Sequence, residues 1–246
     1  MLPEELIAQT PLEPRDSARL LVDSTGGLQH RQVSDIVEYL RAGDVLVVNH
    51  TRVLPARLKL KRRTGGAVEV LLLEERDAGQ MQWEALVRPG GKLLLGEELL
   101  DDSGIVMLRI GERTQAGDTF FVQFVAHTHE EVMQKIMDTG EMPLPPYITT
   151  ALVDQSRYQT VFAHDQKSSA APTAGLHFTP ELLARIREAG VEIREVELVV
   201  GLDTFKPISV ENPLDHVIHT ESYRVPADTF DACTRARENG GRVIAI

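Results

Sequence analysis

The chain has 246 residues, 42% apolar and 26% charged, with a formal net charge of −11 and one cysteine, Cys233. That length allows one large domain or two small ones with ordinary buried cores, and a lone cysteine excludes an internal disulfide. The acidic balance argues against nucleic-acid binding by a uniformly basic surface, though a local basic patch can still hold phosphates. No leader pattern opens the chain and no apolar run is long enough to span a bilayer, so the expected setting is reduced and cytoplasmic, with no membrane.

Residues 1–53 read as mixed α/β. Short strands are predicted at 19–23 and 28–33, around the turn Ser24-Thr-Gly-Gly27. Ser34 is a candidate cap for a helix through Leu40 that carries Ile36 and Val37. Gly43-Asp44 ends it, and Val45, Leu46, Val47 and Val48 make a buried strand. Asn49-His-Thr-Arg52 follows directly. Polar groups at a buried strand's end can line a cleft. Asn49 and Thr51 suit a base edge or a ribose hydroxyl, and Arg52 suits a carboxylate or phosphate. The competing reading is a turn that satisfies its own backbone.

Residues 54–126 change character. Six strand-like runs, at 56–61, 67–74, 82–88, 92–95, 105–110 and 119–125, are separated by Gly- and Asp-rich turns. Many short strands at this spacing suggest a small antiparallel barrel or sandwich. On the first strand Arg57, Lys59 and Lys61 share one face, with Arg62 and Arg63 following, while Leu58 and Leu60 point the other way. This is the local basic patch, a candidate surface for nucleic-acid phosphates or a solvated strand face.

His127-Thr-His-Glu-Glu131 has the look of a metal cluster. Thr128 with Glu131 also makes a capping box for a helix that carries Val132, Met133, Ile136 and Met137 and stops at Gly140. Third and fourth ligands are not evident, so no metal is expected. Pro143-Leu-Pro-Pro146 is rigid and presents Tyr147, as a connector or a cleft wall. After a polar loop, Arg157-Tyr-Gln-Thr160 offers a cation for an anion and, in Tyr158, a ring to stack on a base.

Ser168 to Thr179 is built of small residues, a glycine and a histidine, and it opens a helix. Thr179 is the cap, Pro180 the first helical residue, and Leu182, Leu183 and Ile186 the buried face. Gly175 can take positive φ and let a ligand approach, and His177 would stand before the helix as donor, acceptor or base. The plain alternative is a tight loop with a structural histidine. A strand over 191–200 runs into Gly201-Leu-Asp-Thr-Phe-Lys-Pro207, where Lys206 could bind an anionic substrate end. His219, Glu221 and Tyr223 alternate and would share one strand face. His216, His219 and Glu221 also imitate metal spacing, again without a metal expected. A helix over 226–239 and a strand over 242–246 close the chain.

Several of these stretches together resemble the S-adenosylmethionine:tRNA ribosyltransferase-isomerase family of queuosine biosynthesis. They are Asn49-His-Thr-Arg-Val-Leu-Pro-Ala-Arg-Leu58, Met142-Pro-Leu-Pro-Pro-Tyr-Ile148, Arg157-Tyr-Gln-Thr-Val-Phe-Ala163, Ala170-Ala-Pro-Thr-Ala-Gly-Leu-His-Phe-Thr179 and Thr204-Phe-Lys-Pro207, with His219, Glu221 and Tyr223 fitting a further stretch. The resemblance agrees with a fold of two parts. One is a mixed α/β barrel-like domain made of residues 1–53 and 127–246. The other, residues 54–126, is an inserted six-stranded antiparallel β-barrel. The family continues past residue 246 and begins slightly earlier, so a fragment or shortened homologue is expected. It also carries Gly where this chain has Asp203.

The resemblance implies a reaction. The ribosyl part of S-adenosylmethionine moves to 7-aminomethyl-7-deazaguanine at the tRNA wobble position and isomerises to give epoxyqueuosine, with release of adenine and methionine. S-adenosylmethionine is then a consumed substrate, no separate cofactor is needed, and a monomer is expected. The chemistry asks for a base at the acidified C5′ position, a proton or donor for adenine, and a neutral amine nucleophile. His177, His219 and Glu221 are the titratable candidates, with Thr173 and Tyr223 orienting substrate. Asn49, Thr51, Arg52, Tyr147, Arg157, Tyr158, Gly175, Phe205 and Lys206 are the substrate-binding expectations. The alternative is a non-catalytic homologue that at most binds nucleoside or tRNA.

Overall fold

A computed structural model of the chain describes residues 3–115, 117–168, 170–201, 211–215 and 221–246. Phe205, Lys206, His219, His216 and Asp203 lie outside the described residues. β1 (Arg19–Ser24) and β2 (Gly27–Gln32) form the expected antiparallel hairpin. The next helix, Val33–Tyr39, is 3-10 rather than α, and its cap is Gln32 instead of Ser34. The Asp35 carboxylate accepts the Gln32 N–H at 2.9 Å, so the reciprocal pair begins two residues earlier than the first Ser suggests.

β3 (Val45–Asn49) is apolar on both faces because both are covered. Leu46 and Val48 pack with α2 (Pro180–Glu188) through Leu182, Leu183 and Ile186, while Val45 packs on α3 (Ala227–Glu238) through Ala232 and Ala236. β12 (Glu192–Leu198) and β14 (Val243–Ala245) lie parallel to β3 on its two sides. With β13 (Tyr223–Arg224) at the edge the sheet order is β13-β12-β3-β14. Fully covered parallel strands between helices are the α/β arrangement. Thr179 caps α2 by accepting the Leu182 N–H at 3.1 Å, with Pro180 at the first turn.

A charged pair locks the start of β3 to the start of β14. Asp44 is fully buried and accepts from the Arg242 guanidinium at 2.5 and 3.2 Å, and from the backbone N–H groups of Arg41 and Arg242. The Arg242 side chain is the main cause that holds the Asp44 carboxyl well below the usual carboxylate range. Burial opposes it, and the two backbone donors assist.

The β-rich region forms the closed six-stranded antiparallel barrel. Its strands are β5 (Arg57–Arg62), β6 (Ala67–Asp77), β7 (Gln82–Arg88), β8 (Glu98–Leu100), β9 (Val106–Arg113) and β10 (Phe120–Phe124), in the order β10-β7-β6-β5-β8-β9. Leu58, Leu60, Val70, Leu72, Leu108 and Val122 fill it. One expected strand is corrected: residues 92–95 are a turn, and the barrel uses Glu98–Leu100 instead. Leu94 and Leu95 are about 70% exposed, and the Glu97 carboxylate closes the turn by accepting the Leu94 N–H and the Arg62 guanidinium.

α1 (His129–Thr139) seals one side of the barrel with Val132 and Ile136. Thr128 caps it, accepting the Glu131 N–H at 3.2 Å, and the Glu131 carboxylate takes the His127 N–H at 2.9 Å. His129 pairs with Glu75 at 2.9 Å. These residues therefore serve the helix start and the barrel wall. The chain leaves α1 beside its entry to the barrel: Arg57 N–H donates to Glu141 O at 3.1 Å, and Glu141 N–H to Arg57 O at 2.9 Å. β4 (Thr51–Val53), which precedes the barrel, pairs in parallel with β11 (Asp165–Ser168), a strand not anticipated in the sequence.

Candidate functional site

A cavity of about 770 Å³ is walled by the N-terminal segment 8–19, the Pro-rich stretch 144–154 and the loop that leads into α2. Five of the anticipated residues line it: Tyr147, Arg157, Tyr158, Thr173 and His177. The three segments lie far apart in sequence, so the folded loop is what assembles them.

His177 ends a short 3-10 helix, Thr173–His177, which turns the chain before Thr179 starts α2. Its Nδ1 lies 3.1 Å from the Ala174 carbonyl. A carbonyl can only accept, so in this bond Nδ1 carries the proton and Nε2 is the basic nitrogen. Gly175 does not use positive φ, contrary to the expectation. It is buried because Phe162 packs over it: a Cβ there would stand 2.7 Å from Phe162 Cζ and 3.0 Å from Thr160 Cγ2. The close neighbour that demands glycine is thus an aromatic ring of the protein.

Tyr147 is 55% exposed and presents its ring at the cavity. Tyr158 is only 7% exposed and packs with Val53 and Ala171, so it forms wall rather than an open stacking platform. Burial raises its phenol pKa. Arg157 donates to Leu12 O at 2.6 Å and pairs with Glu13 at 2.7 Å. Beside it Arg15 donates to the carbonyls of Gln159 and Ser156 at 2.5 and 3.0 Å. Burial first, then the neighbouring Arg157, lowers the Arg15 pKa. Two guanidiniums thus stand side by side at the cavity, with the carboxylates of Glu13 and Asp154 beside them.

The remaining described residues fall elsewhere. Asn49 is buried at the end of β3, donates to Leu198 O at 2.9 Å, and accepts from the N–H groups of Thr51 and Leu198 and the Thr51 hydroxyl. The Thr51 hydroxyl also lies 3.1 Å from Leu198 O. Both serve the β3–β12 junction, as the self-satisfied turn anticipates. Arg52 is exposed on β4. Glu221 accepts the Gly201 N–H at 2.9 Å, and Tyr223, 74% exposed, pairs with Leu198 in β13. Of the expected strand face 219–223, only Tyr223 lies in a strand among the described residues.

These two groups of residues share one connector. The Ser168 hydroxyl donates to Ala170 O at 2.8 Å and accepts the Val200 N–H at 3.1 Å. It ties the start of the small-residue loop to the segment just beyond β12, while the loop's far end lines the cavity.

The basic stripe emerges on the barrel surface with an acid beside each cation. Arg57 lies near Glu69 at 3.9 Å, Lys59 near Glu141 at 2.7 Å, Lys61 near Asp102 at 2.9 Å, Arg62 near Glu97 at 2.5 Å and Arg63 near Glu98 at 2.5 Å. These pairs hold the carboxyls of Glu97, Glu98 and Asp102 below their ordinary values, chiefly through hydrogen bonds from Arg62, Arg63 and Lys61 respectively.

Sequence reasoning missed Arg15 and the whole 8–19 wall, which carry no periodicity or motif. It also missed the buried Gln159, whose amide clamps the Val53 backbone at 2.9 and 2.8 Å.

Comparison with known proteins bears on what these residues belong to. A family model described as "Queuosine biosynthesis protein" matches residues 1–246. The S-adenosylmethionine:tRNA ribosyltransferase-isomerase of Desulfitobacterium hafniense is 47% identical over 249 residues, covering 100% of this chain and 71% of the relative. That of Symbiobacterium thermophilum is 46% identical with the same coverage. A crystal structure of S-adenosylmethionine tRNA ribosyltransferase from Thermotoga maritima matches at 33% identity and a TM-score of 0.42, covering 100% of this chain and 66% of that one. The chain thus spans roughly two thirds to 71% of the length of these relatives. Since that family model matches residues 1–246, the chain belongs to the queuosine biosynthesis protein family.

Proposed function

We propose that this chain serves the transfer and isomerisation of the ribosyl part of S-adenosylmethionine onto 7-aminomethyl-7-deazaguanine at the tRNA wobble position. Adenine and methionine leave, and epoxyqueuosine remains in the tRNA. The observation that carries this reading is 47% identity, over the whole of this chain, to a relative named for that enzyme. The cavity is compatible with it. A volume of about 770 Å³ suits a nucleoside-sized ligand.

In this reading the Arg157 guanidinium, with Arg15 behind it, takes the carboxylate end of S-adenosylmethionine, exchanging Glu13 for it. The exposed Tyr147 ring stacks on a base, and the basic Nε2 of His177 accepts a proton from, or orients, the reacting nucleoside. The exposed pairs of Lys59 with Glu141 and Lys61 with Asp102 are weak, so tRNA phosphates can replace those carboxylates. S-adenosylmethionine is consumed, and no further cofactor enters the scheme.

The test is a single-turnover assay of the 246-residue chain with S-adenosylmethionine and tRNA bearing 7-aminomethyl-7-deazaguanine, scoring adenine and the mass of the modified nucleoside. Stoichiometric adenine with epoxyqueuosine is the expected result. Retained tRNA binding without adenine release would leave a binding protein only, and neither binding nor release would overturn the reading.

A further inference from the structure

His50, His164 and Glu195 come together from three segments that no spacing rule connects. His50 follows β3, His164 precedes β11, and Glu195 lies within β12. The imidazoles of His50 and His164 stack with centroids 4.2 Å apart and planes at 27°. His164 Nε2 is 3.1 Å from Glu195 Oε2. One candidate ligand atom from each residue lies within 4.8 Å of the other two.

The main chain holds all three in place. His50 N–H donates to Val196 O at 3.0 Å, His164 N–H donates to His50 O at 3.0 Å, and the Thr229 hydroxyl donates to Glu195 O at 2.8 Å. His50 is 6% exposed and anchors the cluster from inside. The side chains of His164 and Glu195 are about half exposed, at 54% and 46%, which leaves a path for an ion and room for water.

We propose that His50, His164 and Glu195 bind one divalent transition-metal ion of the zinc class. Two imidazole nitrogens and one carboxylate oxygen are the donor set such ions take, and three protein ligands leave a position for water. Bonds of about 2.1 Å in a tetrahedron place neighbouring ligand atoms roughly 3.4 Å apart. The His164–Glu195 pair, at 3.1 Å, is close to that spacing, and His50 joins when the stacked rings slide open. The ion clasps the β3–β12 pair to the β4–β11 pair, at the point where the chain leaves the parallel sheet.

The test uses the full chain freed of metal by chelation, titrated with Zn2+ by calorimetry and followed by thermal unfolding. One Zn2+ per chain with a dissociation constant at or below the micromolar range is expected, together with a rise in Tm. Co2+ should give visible ligand-field bands that Zn2+ displaces. His164→Ala and Glu195→Gln should each weaken Zn2+ binding at least tenfold. The double variant His127→Ala/His129→Ala, at exposed histidines outside the cluster, should keep it. Glu195→Gln preserves size and shape, so it reports on ligation even if His164→Ala perturbs the fold. Absence of stoichiometric binding to the wild-type chain overturns the proposal, as does unchanged affinity in both cluster variants. Neither result bears on ribosyl transfer, which is read by adenine release.

Discussion

At the scale of single residues, Gly175 and His177 lie in one loop whose packing constrains the wall of the cavity. Phe162 sits where a Gly175 side chain would go. Gly175→Ala is expected to cost about 1–3 kcal/mol in denaturant unfolding, since overpacking forces the ring or the loop to move. The same substitution displaces His177, so turnover should fall by more than the stability loss explains, and Phe162→Leu should restore part of both. His177→Ala is expected to lower single-turnover adenine release by a factor of about 100 or more, the usual contribution of a positioned acid or base. Release at the wild-type rate would remove His177 from the chemistry. The sequence indicated that this glycine matters but not why. Small residues before a helix suggest an open approach for a ligand, whereas the fold fills that space with the ring of Phe162, 13 residues earlier in the chain. Asn49 was open to two readings for a related reason: a buried amide at a strand end can face a cleft or its own sheet, and here it bonds Leu198 of the neighbouring strand.

Elements formed where local signals agreed with tertiary cover. Thr179 and Pro180 announce α2, and the structure uses both. Thr179→Ala should cost about 1 kcal/mol, the ordinary value of a lost cap, with little change in the barrel. The two-sided burial of β3 was legible as an unbroken apolar run. The turn at 92–95 was not, because three leucines in a row imitate a strand until Gly96 and the Glu97 carboxylate bend them. β11 was illegible for another reason: Asp165–Ser168 is polar, and its pairing with β4 is what makes it a strand. At the sheet's lower edge, Asp44 carries a further expectation. Its carboxyl is held below the ordinary range in the folded chain, so its stabilisation is complete above about pH 5 and drains as pH falls through the unfolded value toward the folded one. Asp44→Ala should cost about 3 kcal/mol at pH 7, leaving buried donors without an acceptor, and the variant should lose less further stability on acidification than the wild type. Urea titrations at pH 7 and pH 4 measure both.

Over the whole molecule, a net charge of −11 and a stripe of five cations on the barrel set up a competition between internal carboxylates and any external phosphate. If tRNA engages the stripe, the double variant Lys59→Ala/Lys61→Ala should weaken binding and reduce the slope of log affinity against log salt by about 2, one for each lost phosphate contact. An unchanged slope would move the tRNA surface elsewhere. The strand that carries this stripe is also where the barrel begins, and its first residue is bonded in both directions to Glu141, just after the barrel and its helix end. Entry and exit therefore coincide. For the α/β part, the 57–141 stretch is a detour that starts and finishes at one point, so its length scarcely enters the folding cost of the strands on either side. A slack loop that long would charge on the order of 4 kcal/mol in closure entropy. Here the barrel's own closure supplies the knot, and the path from β4 to residue 142 is short-circuited. A chain in which 57–141 is replaced by a two- or three-residue turn should still pair β3 with β12 and β14, and the excised piece should fold around its own core, as a graft that could be moved to another host by two cuts made side by side.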